Sequence, residues 1–212
     1  MKKILIVDDH AVVRQGVRYI LQNELQEVEF GEAETAEEVL KKVGEQNWDL
    51  VILDIKLRDR SGFDLLIELK YKYPQLPVFV LSMYSEEQYA IRMLKSGACG
   101  YMNKENAPEE LARAVRRVLA GKKYVSPSLA EKLVFNSISD NEKLLNEKLS
   151  DREFQVMLMI VSGKSLTLIA EKLHLNVKTI STYRSRILEK MKMSTNAELI
   201  SYALKRNLIE VA

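Results

Sequence analysis

Asp54 ends the apolar run Leu50-Val51-Ile52-Leu53, and a second run, Ile4-Leu5-Ile6-Val7, ends in the acidic pair Asp8-Asp9. Short apolar runs rich in β-branched residues that stop at a carboxylate read as strands buried on both faces. Side by side in a parallel sheet, these two bring three carboxylates to the carboxyl-terminal edge, where open α/β folds build their sites. Three carboxylates cannot stay ionised together in an apolar setting without countercharge. A hard divalent cation such as Mg²⁺, which takes oxygen ligands, meets that need. Ser82 follows Val78-Phe79-Val80-Leu81, and Lys104 follows Gly100-Tyr101-Met102-Asn103. A carboxylate, an acidic pair, a hydroxyl and an ammonium on one edge suit phosphoryl transfer. Asp54 would attack phosphorus, a cation on Asp9 and Asp54 would neutralise phosphoryl oxygens, and Ser82 and Lys104 would bind the remainder.

The elements that must position these groups alternate along the first half. Strands are expected at 3–7, 28–33, 50–53, 78–81 and 100–102, and helices at 12–24, 35–46, 62–72, 86–96 and 108–120. Five β-α units predict a parallel sheet covered by helices on both faces. Thr35 precedes Glu38, and Ser85 precedes Gln88, at capping-box spacing, and Pro108 suits a first helical turn. Gly97, Gly100 and Gly121 follow helical patterns, where Gly can end a helix.

Residues 122–147 read as a linker, with Ser126-Pro127-Ser128 as the entry to a short helix over 129–135 and a loop after it. Leu144, Leu145 and Leu149 could form a small packing patch. From 148 to 212 the pattern is all helical. Ser150-Asp151-Arg152-Glu153 is a capping box that opens an apolar-periodic helix. A second helix spans about 166–173, His174-Leu175-Asn176 makes a turn, and a third runs over 177–192 with Asn176 as its N-cap. A fourth runs over about 197–206, after a second candidate capping box, Thr195–Glu198. At 100° per residue, Val177, Ile180, Ile187 and Met191 of the third helix share an inward side. Lys178, Ser181, Thr182, Ser185, Glu189 and Lys192 lie opposite, with Arg186 at the margin and Tyr183 and Arg184 on the flanks. Short hydroxyls can approach base edges while Lys and Arg reach phosphates, so this strip suits the major groove of DNA.

Charge supports that division. The 212 residues carry a net +2, but residues 1–121 hold 17 Lys/Arg against 20 Asp/Glu, whereas 149–212 hold 10 against 6. A basic second half favours a polyanionic partner. No apolar stretch is long enough to span a membrane, and Met1-Lys2-Lys3 leads into a strand rather than a signal peptide. The single Cys99 excludes an internal disulfide framework and suits a reducing cytoplasm. With two histidines and one cysteine, a structural zinc site is not expected.

The text Ile6-Val7-Asp8-Asp9-His10, Asp54 with Gly62 eight residues on, Ser82, and Gly97-Ala98-Cys99-Gly100-Tyr101 leading to Lys104 resembles the receiver domain of bacterial two-component response regulators. The resemblance covers residues 1–121 and implies that Asp54 is the phosphoacceptor. It further implies that Asp9 binds Mg²⁺ directly and Asp8 through water, with the Lys56 backbone carbonyl as another ligand. Ser82 and Tyr101 match positions that move between inactive and active states. Residues 148–210 resemble the LuxR/NarL-type DNA-binding domain through Leu149-Ser150-Asp151-Arg152-Glu153, Gly163-Lys164-Ser165, Ile169-Ala170 and Lys178-Thr179-Ile180-Ser181-Thr182-Tyr183. The run Thr179 to Arg186 is similar to a subgroup typified by the BvgA and EvgA regulators. Together these imply a NarL/FixJ-type response regulator. Many members have Lys and His where this chain has Ser181 and Tyr183, so their base contacts do not carry over; from the third helix itself, DNA contacts are expected at Lys178, Thr179, Ser181, Thr182, Arg184, Ser185, Arg186 and Lys192. The implied partners are a histidine kinase, double-stranded promoter DNA, a second copy when phosphorylated, and RNA polymerase as a further candidate, with no membrane.

Two positions depart from the receiver pattern: Arg58 stands where Pro is usual, and Met83 where a small residue is usual. They are the only support for a regulator that works without phosphorylation. An aspartate-nucleophile phosphatase would need an acid two residues after the nucleophile, where this chain has Lys56. Taken singly, Asp8 reads as a turn or cap, Tyr101 as core packing, Cys99 as a small buried residue and His10 as a structural or capping residue. The ordered set Asp8, Asp9, Asp54, Ser82 and Lys104 carries the functional reading.

Overall fold

In the computed structural model, residues 1–84, 86–131, 145–205 and 208 are described. The chain divides into two compact units, Met1–Ser137 and Ile138–Ala212.

The first unit is built on strands β1 (Lys2–Val7), β2 (Val28–Ala33), β3 (Leu50–Leu53), β4 (Val78–Ser82) and β5 (Gly100–Asn103). They form one parallel sheet in the order β2-β1-β3-β4-β5. Every residue of β3 and β4 is buried, as an apolar run covered on two faces requires. Helices α1 (Ala11–Glu24), α2 (Ala36–Glu45), α3 (Gly62–Lys72) and α4 (Glu86–Lys95) join the strands, and α5 (Ala107–Leu119) follows β5 after the one-turn 3₁₀ helix Lys104–Asn106. Alternation along β1 sends Ile4 and Ile6 into the core beneath α1 and α5, with Val17, Leu21, Phe79, Leu111 and Val115.

Local signals explain most ends. Thr35 accepts the Glu38 amide to cap α2, and Pro108 lies in the first turn of α5. Gly97 and Gly121 take positive φ after α4 and α5. Gly100 does not end a helix: it opens β5, where a Cβ would sit 2.7 Å from the Phe79 ring and 3.0 Å from the Tyr124 carbonyl oxygen. The Ser85 cap expected for α4 lies outside the described residues.

The segment after α5 returns to the sheet. Tyr124 pairs with Gly100 in an isolated parallel bridge, its ring lies 5.9 Å from that of Phe79, and its hydroxyl donates to Glu110. Residues 127–131 are helical and bury Leu129. The remainder of the expected 129–135 helix lies outside the described residues, as does Leu144 of the expected leucine patch. Leu149 of that patch is buried and Leu145 half-buried.

The second unit holds helices α6 (Asp151–Val161), α7 (Leu166–Lys172), α8 (Val177–Met191) and α9 (Asn196–Lys205). Both halves of the Ser150–Glu153 capping box form, and Glu153 also accepts from Lys190 at 2.6 Å. Among the described residues, no helix is long and apolar enough to cross a membrane.

Gly62 is the tightest point near the carboxylates, because an added Cβ would lie 2.1 Å from the Asp54 carbonyl oxygen and 2.9 Å from the Ile55 Cα. Those are backbone atoms that cannot rotate away. Gly62→Ala is therefore expected to destabilise the first unit by about 1–3 kcal/mol, measured by urea unfolding. Unchanged stability would show that the loop after β3 gives way freely.

Candidate phosphoacceptor site and nucleic-acid interface

Strand order decides what meets at the edge. Val7 of β1 lies opposite Leu53 of β3, so the next residues, Asp8 and Asp54, leave the sheet as neighbours. The Asp54 amide donates to the Val7 carbonyl at 2.9 Å. Both carboxylates are buried, at 2% and 4% exposure. Lys104, delivered by the turn after β5, reaches back across β4. Its Nζ lies 2.6 Å from Asp8 Oδ2 and 2.7 Å from Asp54 Oδ2.

One ammonium thus serves two buried carboxylates. Burial alone would lower the Lys104 pKa, but Asp54 and Asp8 outweigh it and raise it, so Lys104 stays charged. Burial, helped by the charge of Asp8, outweighs Lys104 at Asp54 and raises that carboxyl above its ordinary value. The edge carries more negative charge than its own cations neutralise.

The remaining oxygens divide unequally. Asp8 Oδ1 accepts the His10 amide at 2.8 Å, so both Asp8 oxygens are engaged. Asp9 Oδ1 and Asp54 Oδ1 are buried without a hydrogen-bond partner among the described residues. His10 precedes α1 but makes no side-chain cap, contrary to a capping role. Its Nδ1 sits 2.6 Å from Asp9 Oδ1. Asp8, Asp9 and His10 are close enough together to hold a metal ion, and the unpartnered Asp54 Oδ1 nearby fits a hard, oxygen-seeking cation. Lys56 lies in the following loop with its side chain exposed, and pairs with Ser61 in a single antiparallel bridge.

Ser82 ends β4 opposite Asn103 and is 1% exposed. Its hydroxyl accepts the Tyr84 amide at 3.4 Å, and the buried Tyr101 hydroxyl donates to the Tyr84 carbonyl at 2.7 Å. Burial, with nearby Tyr89 and the charges of Glu86 and Asp54, pushes the Tyr101 phenol up. Tyr101 is therefore hydrogen-bonded to the β4–α4 connection, which ordinary core packing does not require. Cys99 is half-buried, donates to the Val78 carbonyl, and has its thiol pushed up to about 11 by burial, so it is a structural residue.

Sequence reasoning missed Arg14. It is buried, donates to the Asp8 carbonyl at 2.8 Å, and holds Glu32 and Glu34. The available signal was a cation in the row Arg14, Val17, Leu21, otherwise the apolar face of α1.

In the second unit, Asn176 accepts the Lys178 amide at 2.9 Å and opens α8. Ile180, Ile187, Leu188 and Met191 are buried. Val177, expected inward, is 41% exposed. It occupies the first turn, at the end of the apolar row, and Leu188 completes that row instead. Lys178, Ser181, Thr182, Ser185, Arg186 and Lys192 are exposed on the other side, and Thr179 is half-buried. Thr182 and Ser185 donate to the carbonyls of Lys178 and Ser181, which leaves their oxygens free to accept. Arg184 is half-buried and donates to Asn196 at 2.8 Å, which ties α8 to the start of α9.

Comparison with known proteins decides the family. The profile described as "Response regulator receiver domain" matches residues 4–116, and that for "Bacterial regulatory proteins, luxR family" matches 147–203. The chain belongs to the NarL/FixJ-type response regulators. It is 36% identical over 214 residues to the response regulator GacA of Pseudomonas protegens, with all of both chains covered. It is 35% identical over 216 residues to the oxygen regulatory protein NreC of Staphylococcus epidermidis, covering 98% of this chain and 99% of the relative. Among solved structures, RcsB of Salmonella enterica serovar Typhimurium, bound to promoter P1flhDC in the presence of the phosphomimetic BeF₃⁻, matches with a TM-score of 0.61 at 26% identity, covering 97% and 98%. The regulator thus joins a receiver domain to a LuxR-type DNA-binding domain in a family of transcription regulators, not enzymes. These matches support the family and not the narrower BvgA/EvgA subgroup.

In the regulator, Lys104 is the charge that lets Asp8 and Asp54 sit together. Lys104→Ala is expected to lose about 3 kcal/mol in urea unfolding without divalent cations. The double variant Lys104→Ala/Asp54→Asn is expected to recover part of that loss, since one carboxylate fewer remains unpaired. A fully stable Lys104→Ala variant would contradict this electrostatic account.

Proposed function

We propose that this response regulator is phosphorylated on Asp54 by a histidine kinase in a Mg²⁺-dependent reaction, and that phosphorylation controls dimerisation and promoter binding. The observation that carries this reading is the edge where Lys104 bridges Asp8 and Asp54 while Asp54 Oδ1 is left without a partner. An unengaged carboxylate oxygen is what a nucleophile requires.

Mg²⁺ would be held by Asp9, Asp54 and the Lys56 backbone carbonyl, with Asp8 acting through water, as the receiver resemblance implies. When bound, the cation supplies positive charge to the phosphoryl oxygens. Asp54 presents the attacking oxygen, its burial keeps water from competing, and Lys104 turns from the carboxylates to the phosphoryl group. Ser82 gives up the Tyr84 amide to donate to a phosphoryl oxygen, which strains the Tyr101–Tyr84 bond and moves Tyr101 with the β4–α4 connection.

Phosphorylation then favours a homodimer that sets two copies of α8 on adjacent half-sites of double-stranded DNA. Lys178, Arg186 and Lys192 contact phosphates, Thr179, Ser181, Thr182 and Ser185 face base edges, and Arg184 contributes from the flank. The known relatives' DNA-bound forms support this direction, since RcsB has been solved as dimers on DNA. This reading makes the regulator cytoplasmic, with RNA polymerase as a further candidate partner at the promoter.

Sedimentation and DNA binding with and without acetyl phosphate test the proposal. The wild-type protein is expected to shift towards dimer and bind its promoter more tightly when phosphorylated, and Asp54→Ala to do neither. Lys178→Ala and Arg186→Ala are each expected to lower the salt dependence of binding by about one counterion. If Asp54→Ala binds as tightly as the phosphorylated protein, the regulator works without phosphorylation.

A further inference from the structure

The loop that joins Asp54 to α3 is held from outside by two of its own charged residues. Arg58 donates from Nη2 to the Asp9 carbonyl at 3.1 Å, and its Nη1 lies 3.7 Å from Glu34 Oε2. Glu34 is in turn fixed by Arg14, which also holds the Asp8 carbonyl. The next residue, Asp59, accepts the Ala36 amide at 3.0 Å and the Glu37 amide at 3.4 Å, so it occupies the amino-terminal end of α2. The loop is thereby fastened to the residues that follow β1 and to those that follow β2. Related receivers place a ring-restricted Pro at the Arg58 position; here hydrogen bonds take over the restriction.

We infer that Arg58 and Asp59 are positioning residues that fix the 55–61 loop against Asp9 and α2, so that the Lys56 carbonyl and the Asp9 carboxylate converge on one cation. The inference rests on the Mg²⁺ site proposed above. A loop already ordered loses less conformational freedom when the cation binds. Outer contacts that orient ligands typically contribute ten- to a hundredfold in affinity. Both side chains are exposed, so the lower end applies.

Charge and positioning make opposite predictions for Arg58. Removing a cation beside a metal site strengthens metal binding by Coulomb attraction alone, and removing the anion Asp59 weakens it. Loss of the clamp weakens binding in both cases. The experiment is calorimetric titration of the full-length protein with MgCl₂ at about 0.5 M KCl, where exposed charges more than a few ångströms apart are screened. Urea unfolding of the same variants is measured without Mg²⁺.

Arg58→Ala and Asp59→Ala are each expected to weaken Mg²⁺ binding on the order of tenfold. Arg58→Lys and Asp59→Asn, which each keep one hydrogen-bonding atom, are expected to fall between these and the wild type. Unchanged or tighter binding by Arg58→Ala overturns the inference, as does a loss of stability with affinity unchanged. Wild-type protein that takes up no Mg²⁺ overturns the cation site itself, and the clamp with it.

Discussion

The organising constraint of the receiver is one ammonium shared by two buried carboxylates. Asp8 and Asp54 are neighbours because β1 and β3 are neighbours, and each is almost wholly removed from water. Burying such a pair is tolerable only with a countercharge in contact. Lys104 supplies it from two strands away, so the sheet must close as far as β5 before the edge is neutralised. Even then Asp54 Oδ1 has no hydrogen-bond partner among the described residues, and Asp9 Oδ1 has only the His10 ring beside it. An edge left short of positive charge is suited to take up a cation and then a phosphoryl group.

The same constraint links the site to its surroundings. Arg14, Glu32 and Glu34 hold the backbone at Asp8, while Arg58 holds it at Asp9. On the far side, Ser82 and Tyr101 converge on Tyr84, and two residues later Glu86 accepts from Ser126 in the segment that follows α5. Ser82 is thus one hydrogen bond from the β4–α4 connection, and Tyr101 bonds to the same residue of it. These contacts link the site to the β4–α4 connection and the segment after α5 within the first unit, while the second unit keeps α8 presented by its own core of Ile180, Ile187, Leu188 and Met191.

Strands that are buried on both faces announce themselves as unbroken apolar runs, so the edge residues after them were legible in the sequence. Helix starts were legible where a side chain caps an amide, at Thr35, Ser150 and Asn176. What escaped depends on contacts between residues distant along the chain. Arg14 has a role that only the Asp8 carbonyl and two glutamates, brought to it by the fold, reveal. Gly100 reads as a helix stop until Phe79 and Tyr124 close over it. Val177 fits the apolar row of α8 by angle, yet a wheel does not show where the neighbouring helices end. His10 fits a cap by position, but its ring turns to Asp9.

The central claim, that the crowded edge exists to make Asp54 a phosphoacceptor, is tested most directly by intact mass. Wild-type protein and Asp54→Ala are incubated with Mg²⁺ and either acetyl phosphate or a phosphorylated histidine kinase. The account predicts a single added phosphoryl group on the wild type and none on the variant. No adduct from either donor, or an equal adduct on both proteins, would contradict it.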